Sequence, residues 1–515
     1  MFKHLLSVSG FTLLSRLTGF IRDIFITAIL GQNDLSDAYN VATRLPNQFR
    51  AIFGEGAFNA AFTPAYSRVL EQGGKQAASH FSAQIFSLLL ASQVIMLALA
   101  WILMPQFTYL LASGYADEPT KFALTVQLSR ITFPYLLCMT LVTYYSALLN
   151  VHKRFAVAAF APVLMNISIV GFLLMARFFP NAGYAACWGV VVSGVAQLAL
   201  LMASAYRLNL LETILKPDFT GSVKGFFKAL GPAIIGSAGV QLAILADTQM
   251  ASWLGSGALS SVSNADRLYQ LPIGVIGIAA GTVLLPQMSR LRAAGNISGA
   301  LEAQNRIIAL TLVLSLPFSI AFLAIPDLIL RGAFMRGRFD AAAAHASAQV
   351  LSAYAFGLLA VLLIRSIVAS FQSVGDTKTP MMVSLLALSV NILLKFLLTP
   401  SMGAPGLALA TACGAWINVG LLVYLAQQRG LMRLNAALVD VSLAAGLAAL
   451  ALDIVITFGT EPLLYFSALI TRFDNELSLI LAGIIGATVY GAVFFSCARV
   501  LKINLRNLSK APKNA

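Results

Sequence analysis

Long apolar stretches alternate with short polar turns over the whole chain. A helix needs about 20 mostly apolar residues to cross a bilayer. The pattern predicts fourteen such helices, over 5–30, 34–66, 80–111, 122–150, 157–178, 182–206, 226–254, 258–288, 303–332, 343–373, 380–400, 403–427, 434–459 and 477–501. The fold class that follows is an all-α polytopic membrane protein. Three of the spans are not apolar all round. In the first, Thr12, Ser15, Arg16, Gly19, Arg22, Asp23 and Thr27 recur at three- and four-residue steps and share one face. In the second, Asp37, Asn40, Arg44, Asn47, Gln48 and Glu55 do the same, with Arg50 at the edge of the stripe and Pro46, Gly54 and Gly56 interrupting it. In the eighth, Asn264, Arg267, Gln270, Gly274, Gly277 and Gly281 form one face, with Asp266 beside it. Interrupted polar helices are tolerated at membrane depth only where they are buried in protein or line water. These three spans therefore predict an aqueous cavity.

The chain also echoes itself. Residues 44–68 (RLPNQFRAIFGEGAFNAAFTPAYSR) and 267–290 (RLYQLPIGVIGIAAGTVLLPQMSR) both run from Arg-Leu through glycines to a Pro and then Ser-Arg. A second echo at the same offset of about 222 pairs 149–166 with 371–391, each a polar turn before a span that carries an Asn. An offset of six helices keeps the two halves parallel, related by an axis along the membrane normal. The expected division is an N-terminal six-helix lobe at 1–215, a C-terminal six-helix lobe at 216–430, and two further helices with a basic tail at 431–515. Two lobes around a central cavity is the plan of a transporter.

Composition agrees and adds one question. Of 515 residues 59% are hydrophobic and 10% charged, whereas soluble domains carry about 25% charge. Mean hydropathy is +0.83, yet net charge is +14, from 34 Lys+Arg against 20 Asp+Glu. Placed on the predicted spans, twenty of the 34 fall at the N-terminus, the even-numbered loops and the C-terminus, and six on the opposite side. By the positive-inside rule both termini face the cytoplasm, which requires an even number of spans. The first span is interrupted by Arg16 and Arg22, so it is expected to be retained rather than cleaved as a signal. The basic loops and tail suit orientation and anionic phospholipid headgroups, and imply no nucleic acid. Cys138, Cys187, Cys413 and Cys497 lie in apolar segments, and the four histidines show no ligand spacing, so neither metal nor cofactor is expected.

The remaining eight basic residues lie inside spans: Arg16, Arg22, Arg44, Arg50, Arg130, Arg267, Arg365 and Lys395. Each central one costs about 2.5–3.5 kcal/mol on insertion. Structural ion pairs account for part of them, Arg16 or Arg22 with Asp23, Arg50 with Glu55, and Arg267 with Asp266. Arg still exceeds acid on spans 1, 2 and 8. The planar guanidinium suits bidentate phosphate binding, so the cavity is expected to take an anionic, phosphate-bearing substrate. An exporter of cationic drugs calls for an acid surplus instead. A membrane enzyme calls for paired acids or a His-containing site at an interface, plus a loop domain. Asp247 in span 7 and Lys395 in span 11, with Asn391 one turn before it, have two readings: a structural salt bridge, or a coupling site for a proton or cation. Asp327 and Arg331, four apart, read as a solvated pair. FMRGRFD (334–340) reads as a turn, or as a gate contact.

SRLTGFIRD (15–23), DAYNVATRLPNQFRAIFGEGAF (37–58), NADRLYQLPIGVIG (264–277) and FMRGRFD together resemble the MurJ-type (MviN) lipid II flippases, of the multidrug/oligosaccharidyl-lipid/polysaccharide exporter superfamily. The resemblance covers essentially the whole chain, including fourteen spans and two extra C-terminal helices. It implies a bacterial inner-membrane protein that moves undecaprenyl-pyrophosphate disaccharide-pentapeptide to the periplasmic leaflet for peptidoglycan assembly. It implies a monomer, no bond made or broken, and coupling to membrane potential or protons. By motif, the substrate-binding positions fall on Arg16, Arg22, Arg50 and Arg267. Cavity charge and gating fall on Asp23, Asp37, Glu55, Arg44 and Asp266. A second basic residue that often follows the Arg50 position is Ala51 here. The resemblance also implies a cation site in the C-terminal lobe, to which Asp247 corresponds and against which Lys395 stands. It gives spans 13 and 14 a groove for the lipid tail. Export of drugs, cations or other lipid-linked polysaccharides is the alternative within the same superfamily.

Overall fold

The structure, a computed structural model, describes residues 2–51, 57–216, 218–219, 221–471 and 473–503. Among them every regular element is helical. In chain order these are α1 (Phe2–Leu30), α2 (Asp34–Phe49), α3 (Ala57–Ile102), α4 (Met104–Leu111), α5 (Pro119–Thr132), α6 (Pro134–Val151), α7 (Phe155–Leu174), α8 (Ala182–Tyr206), α9 (Gly221–Ser252), α10 (Ala258–Pro272), α11 (Ile278–Ala293), α12 (Ile297–Ala324), α13 (Pro326–Phe334), α14 (Ala341–Gln372), α15 (Lys378–Met402), α16 (Ala404–Gln428), α17 (Ala436–Ile470) and α18 (Asp474–Val500).

The helix starts follow from the sequence. Asn33, Asn181, Asn296, Asp340 and Asn435 each stand before a helix and accept from its first free amides. At α2 the cap is reciprocal, because the Ser36 hydroxyl accepts from the Asn33 amide. Prolines open α5, α6 and α13, where no N–H is needed. The helix over 57–102 leaves helical geometry at Gly74 (φ 70°), so it is two helices joined at that residue. The two repeated arginine segments share a break. Pro46 lies inside α2 and a wide π-type turn follows at 50–51. Pro272 ends α10 and a π-type turn follows over Ile273–Gly277. A proline removes a donor from the ladder, and the backbone re-spaces around it.

Ten helices are long and apolar enough to cross a membrane, among the described residues. The ten do not include α1, α2 or α10, which carry Arg16, Arg22, Arg44 and Arg267.

The helices fall into two compact units. The first is 1–260 with 336–339, and the second is 261–335 with 340–515. In the first, α1 and α8 pack on α7, α2 on α5, and α3 on α6 and α9. Its core is a run of rings, with Phe62 stacked on Phe58, Tyr66 and Phe81 and tilted against Tyr144, and with Phe58 edge-on to Phe226 of α9. In the second unit α16 packs on α14 and α15, and α12 on α14 and α17. Apolar burial does not drive helix association inside lipid, so small residues at the contacts matter. Gly357 of α14 meets Ala412 of α16 in this way. In α17, Leu438, Val441, Ala445, Ala448 and Leu452 are buried, while Val439, Leu443, Leu447 and Leu450 are exposed. This is the two-faced pattern of a helix between protein and lipid.

Candidate functional site

The polar stripe of α1 closes on one neighbour. The Arg22 guanidinium donates to Asp23 Oδ1 from Nη2 at 2.8 Å and from Nε at 3.1 Å, and to Asn166 Oδ1 from Nη1 at 3.0 Å. Asn166, buried on α7, donates in turn to the Ser15 carbonyl at 3.0 Å and to Thr18 Oγ1 at 2.9 Å. Thus Asn166 reads three levels of α1 and sets the position of Arg22. A guanidinium has five N–H groups, and these contacts take one from each nitrogen. Two have no acceptor among the described residues. Of the pairings expected from sequence, Arg22 with Asp23 forms. Arg16 is exposed on the same helix.

The stripe of α2 closes at its first two turns. The Asp37 carboxylate, 1% exposed, accepts from four donors: Gly257 N at 2.8 Å, Ser260 N at 2.9 Å, Ser260 Oγ at 2.7 Å and Lys121 Nζ at 3.2 Å. It therefore caps the start of α10 from another helix, where exposed amides and the helix dipole favour an anion. Lys121 also pairs with Asp34 at 2.8 Å and stands 4.3 Å over the Tyr115 ring. Ser36 Oγ lies 2.8 Å from Ser260 Oγ, and Asn40 donates to Ser260 Oγ at 3.2 Å. One turn further, Arg44 Nη1 donates to Thr248 Oγ1 of α9 at 2.5 Å. Arg50 is half-buried at the end of α2. Glu55 lies outside the described residues.

Four of these partners were not singled out by sequence. Lys121, one of the six basic residues expected on the side opposite the termini, is 3% exposed beneath two aspartates. Ser260 and Thr248 carry no pattern of their own. Asn166 had a signal, the span-borne Asn shared by the two repeats.

In the second unit Arg267 and Asp266 lie half-buried on α10, where Gln270 donates to Asp266 at 3.3 Å, and Tyr269 stacks on Tyr354 of α14 at 4.9 Å. Asn391 and Lys395 are buried one turn apart on α15, with Lys395 1% exposed. Asp247 is half-buried on α9, in the first unit. Asp327 pairs with His345 at 2.8 Å rather than with Arg331, because the bend before α14 brings the imidazole to it. The RGRF part of FMRGRFD packs on the end of α1. The Arg338 amide donates to the Ala28 carbonyl at 2.8 Å, Gly337 (φ 60°) lies directly against that carbonyl, and Phe339 is buried. The RGRF part is a docked contact, in which the Arg338 side chain is exposed.

The sequence model of the family described as "Lipid II flippase MurJ" matches residues 26–471. The chain is 36% identical over 505 residues to a "Probable lipid II flippase MurJ" of Rhizobium meliloti (strain 1021), covering 96% of this chain and 93% of that protein. It is 30% identical over 515 residues to one of Rickettsia prowazekii (strain Madrid E), covering 99% and 100%. Its fold is similar to a structure described as "Lipid II flippase MurJ, inward closed conformation", with a TM-score of 0.81 at 22% identity over 96% of this chain and 99% of that one. It is also similar to an inward-facing multidrug resistance MATE family transporter of the MOP superfamily, with a TM-score of 0.67 at 11% identity over 82% and 97%.

Proposed function

Because the chain belongs to the MurJ family of lipid II flippases, we propose that it carries the pyrophosphate-linked head of lipid II across the bacterial inner membrane by alternating access, with its arginines holding the pyrophosphate. The observation that carries this reading is Arg22. Its guanidinium is fixed by Asn166 and Asp23 with two N–H groups uncommitted, and a pre-positioned fork is what a phosphate oxygen pair needs. Arg16, Arg50 and Arg267 complete the clamp in this proposal. Asp23, Glu55, Arg44 and Asp266 tune the charge of the cavity. Asp37, through its cap on α10, holds the outer side closed until substrate arrives. Asp247, Asn391 and Lys395 link transport to a proton or to the membrane potential. The lobes divide at 215 and 430, where the sequence repeat does, and both termini lie in the cytoplasm.

The test is replacement of the chromosomal copy by Arg22→Ala, with membrane insertion checked by immunoblot and lipid II measured on each leaflet. The proposal expects lipid II to accumulate on the cytoplasmic leaflet and wall synthesis to stop. Normal growth with an unchanged leaflet distribution sinks the clamp.

A further inference from the structure

Arg130 on α5 is one of the eight basic residues of the predicted spans, and no role assigned above uses it. α5 and α6 together form one candidate span, Pro119–Val151. At 1.5 Å per residue Arg130 lies about 16 Å from one end of it and about 30 Å from the other. Such a span, centred on a hydrocarbon layer of about 30 Å, puts Arg130 inside that layer. We propose that Arg130 and Trp188 form a lipid-facing site for the phosphate of an anionic phospholipid.

Three observations carry it. The first is direction. Lys121 and Thr132 mark the face of α5 that packs on α2, because Lys121 reaches Asp37 and Thr132 Oγ1 donates to the Ala42 carbonyl at 2.7 Å. Arg130 comes nine residues after Lys121, about two and a half turns. It therefore lies on the opposite face, where Ala123 and Gln127 are also exposed. Two neighbouring helices meet this face. Trp101 Nε1 of α3 donates to the Arg130 carbonyl at 3.1 Å, and the Tyr184 hydroxyl of α8 donates to Gln127 Oε1. Both helices carry exposed apolar side chains there, Leu99 and Ile102 on α3, Val192 and Val195 on α8. Arg130 thus turns away from the polar stripe of α2 and toward lipid. The second observation is charge. The Arg130 side chain is exposed and has no hydrogen-bond or ion-pair partner among the described residues. Trp101, Gln127 and Tyr184 beside it are neutral. A cation that faces lipid is costly, and phosphate is the anion that a membrane supplies. The guanidinium fork takes two of its oxygens. Neutral neighbours offer nothing to a choline or ethanolamine ammonium, so a net-anionic headgroup fits best. The third is a spare donor. Trp188, 43% exposed, follows Tyr184 by one turn on the same face of α8. With the single span α7 between them, α5 and α8 run parallel, so the step to Trp188 goes the same way as the step from Gln127 to Arg130. The Trp101 indole N–H is committed, whereas that of Trp188 has no acceptor among the described residues. A tryptophan N–H in apolar surroundings calls for one, and a phosphate held at Arg130 supplies it. The inference requires only that the chain spans a bilayer, so it stands or falls apart from lipid II transport.

The test is photo-crosslinking of the full-length protein in phosphatidylcholine vesicles that hold a trace of phosphatidylglycerol with a diazirine in its acyl chain. Labelled peptides are read by mass spectrometry. The probe should label 94–103 and 184–195, and inorganic phosphate should not remove it. A phosphatidylcholine probe with the same diazirine should label these segments about tenfold less, the size of one charge-assisted hydrogen bond. Arg130→Gln should lower the phosphatidylglycerol labelling by about the same factor. Trp188→Phe, which keeps a ring and loses the N–H, should lower it as well. Labelling of 439–450 on α17 should stay as in wild type, which shows that each variant is folded. Labelling of 94–103 and 184–195 that either substitution leaves unchanged overturns the proposal. So does equal labelling by the two probes in wild type, or displacement by inorganic phosphate.

Discussion

Asp37 and Arg22 are both half of an ion pair, yet their surroundings make them opposites. The Asp37 carboxylate is fully used, with four donors. Arg22 is held but not filled. Replacing Asp37 by Asn keeps the shape, leaves Lys121 with less charge to meet, and removes one acceptor from the α10 cap. Breaking a buried pair costs about 3–5 kcal/mol. Hydrogen exchange at the Gly257 and Ser260 amides should accelerate in that variant, and unchanged protection there would show that the carboxylate is not what holds the turn. At Arg22 the telling change is in its support. Asn166→Ala leaves every charge in place but frees the fork, so transport should fall by about tenfold or more, as when a hydrogen bond to a charged group is lost. The leaflet assay reads this. The sequence held part of this picture. Arg22 and Asp23 are neighbours, so periodicity finds them. Lys121 and Asn166 meet their partners across 84 and 144 residues, and hydropathy, which weighs each position alone, placed Lys121 in water.

At the level of the element, the repeated arginine segments were legible because proline and glycine leave a mark in any sequence. What they build was less so. The pattern gave 34–66 as one span; the structure describes Asp34–Phe49 with a π-type turn at 50–51, and a helix from Ala57 on. The connection expected between 66 and 80 is reduced to one residue, Gly74, where the helix over 57–102 leaves helical geometry. FMRGRFD is a third case. Its two arginines left a solvated turn and a gate contact open, and the segment docks on α1 through its backbone, which carries no signal in residue type. Gly337 is central to it. An L side chain there takes on left-handed backbone, at about 1–2 kcal/mol, and collides with the Ala28 carbonyl. Gly337→Ala should lower the thermal midpoint of the purified protein and expose 336–339 to protease. A variant as stable and as resistant as wild type would return the segment to the status of a free turn.

Across the whole molecule, the sequence assigns the basic surplus by expected place, most of it to the side expected to be cytoplasmic and a few arginines to predicted spans. The linker between α8 and α9 adds a feature that composition hides. Glu212 docks there, with Ser82, Tyr144 and Ser79 as hydrogen-bond donors, and the Leu215 amide donates to Ser87 Oγ at 2.9 Å. Burial raises the Glu212 carboxyl above its ordinary range, against the lowering effect of those donors. A raised value in the docked state means that the proton stabilises docking. That contribution is complete below the ordinary carboxyl value of about 4.3 and fades as pH climbs through the raised one. Exchange over 207–216, corrected for intrinsic rate, should therefore increase with pH, and Glu212→Gln should flatten the dependence. A wild-type profile already flat would mean that the linker is held without its carboxyl. Asp37 carries a last consequence, one of kinetics. One carboxylate gathers donors from Lys121, Gly257 and Ser260, so they cannot let go in sequence, because each partial release strands a buried charge. Freeing the head of α10 is then a single activated event with a sharp threshold, and its rate should climb steeply with temperature instead of drifting.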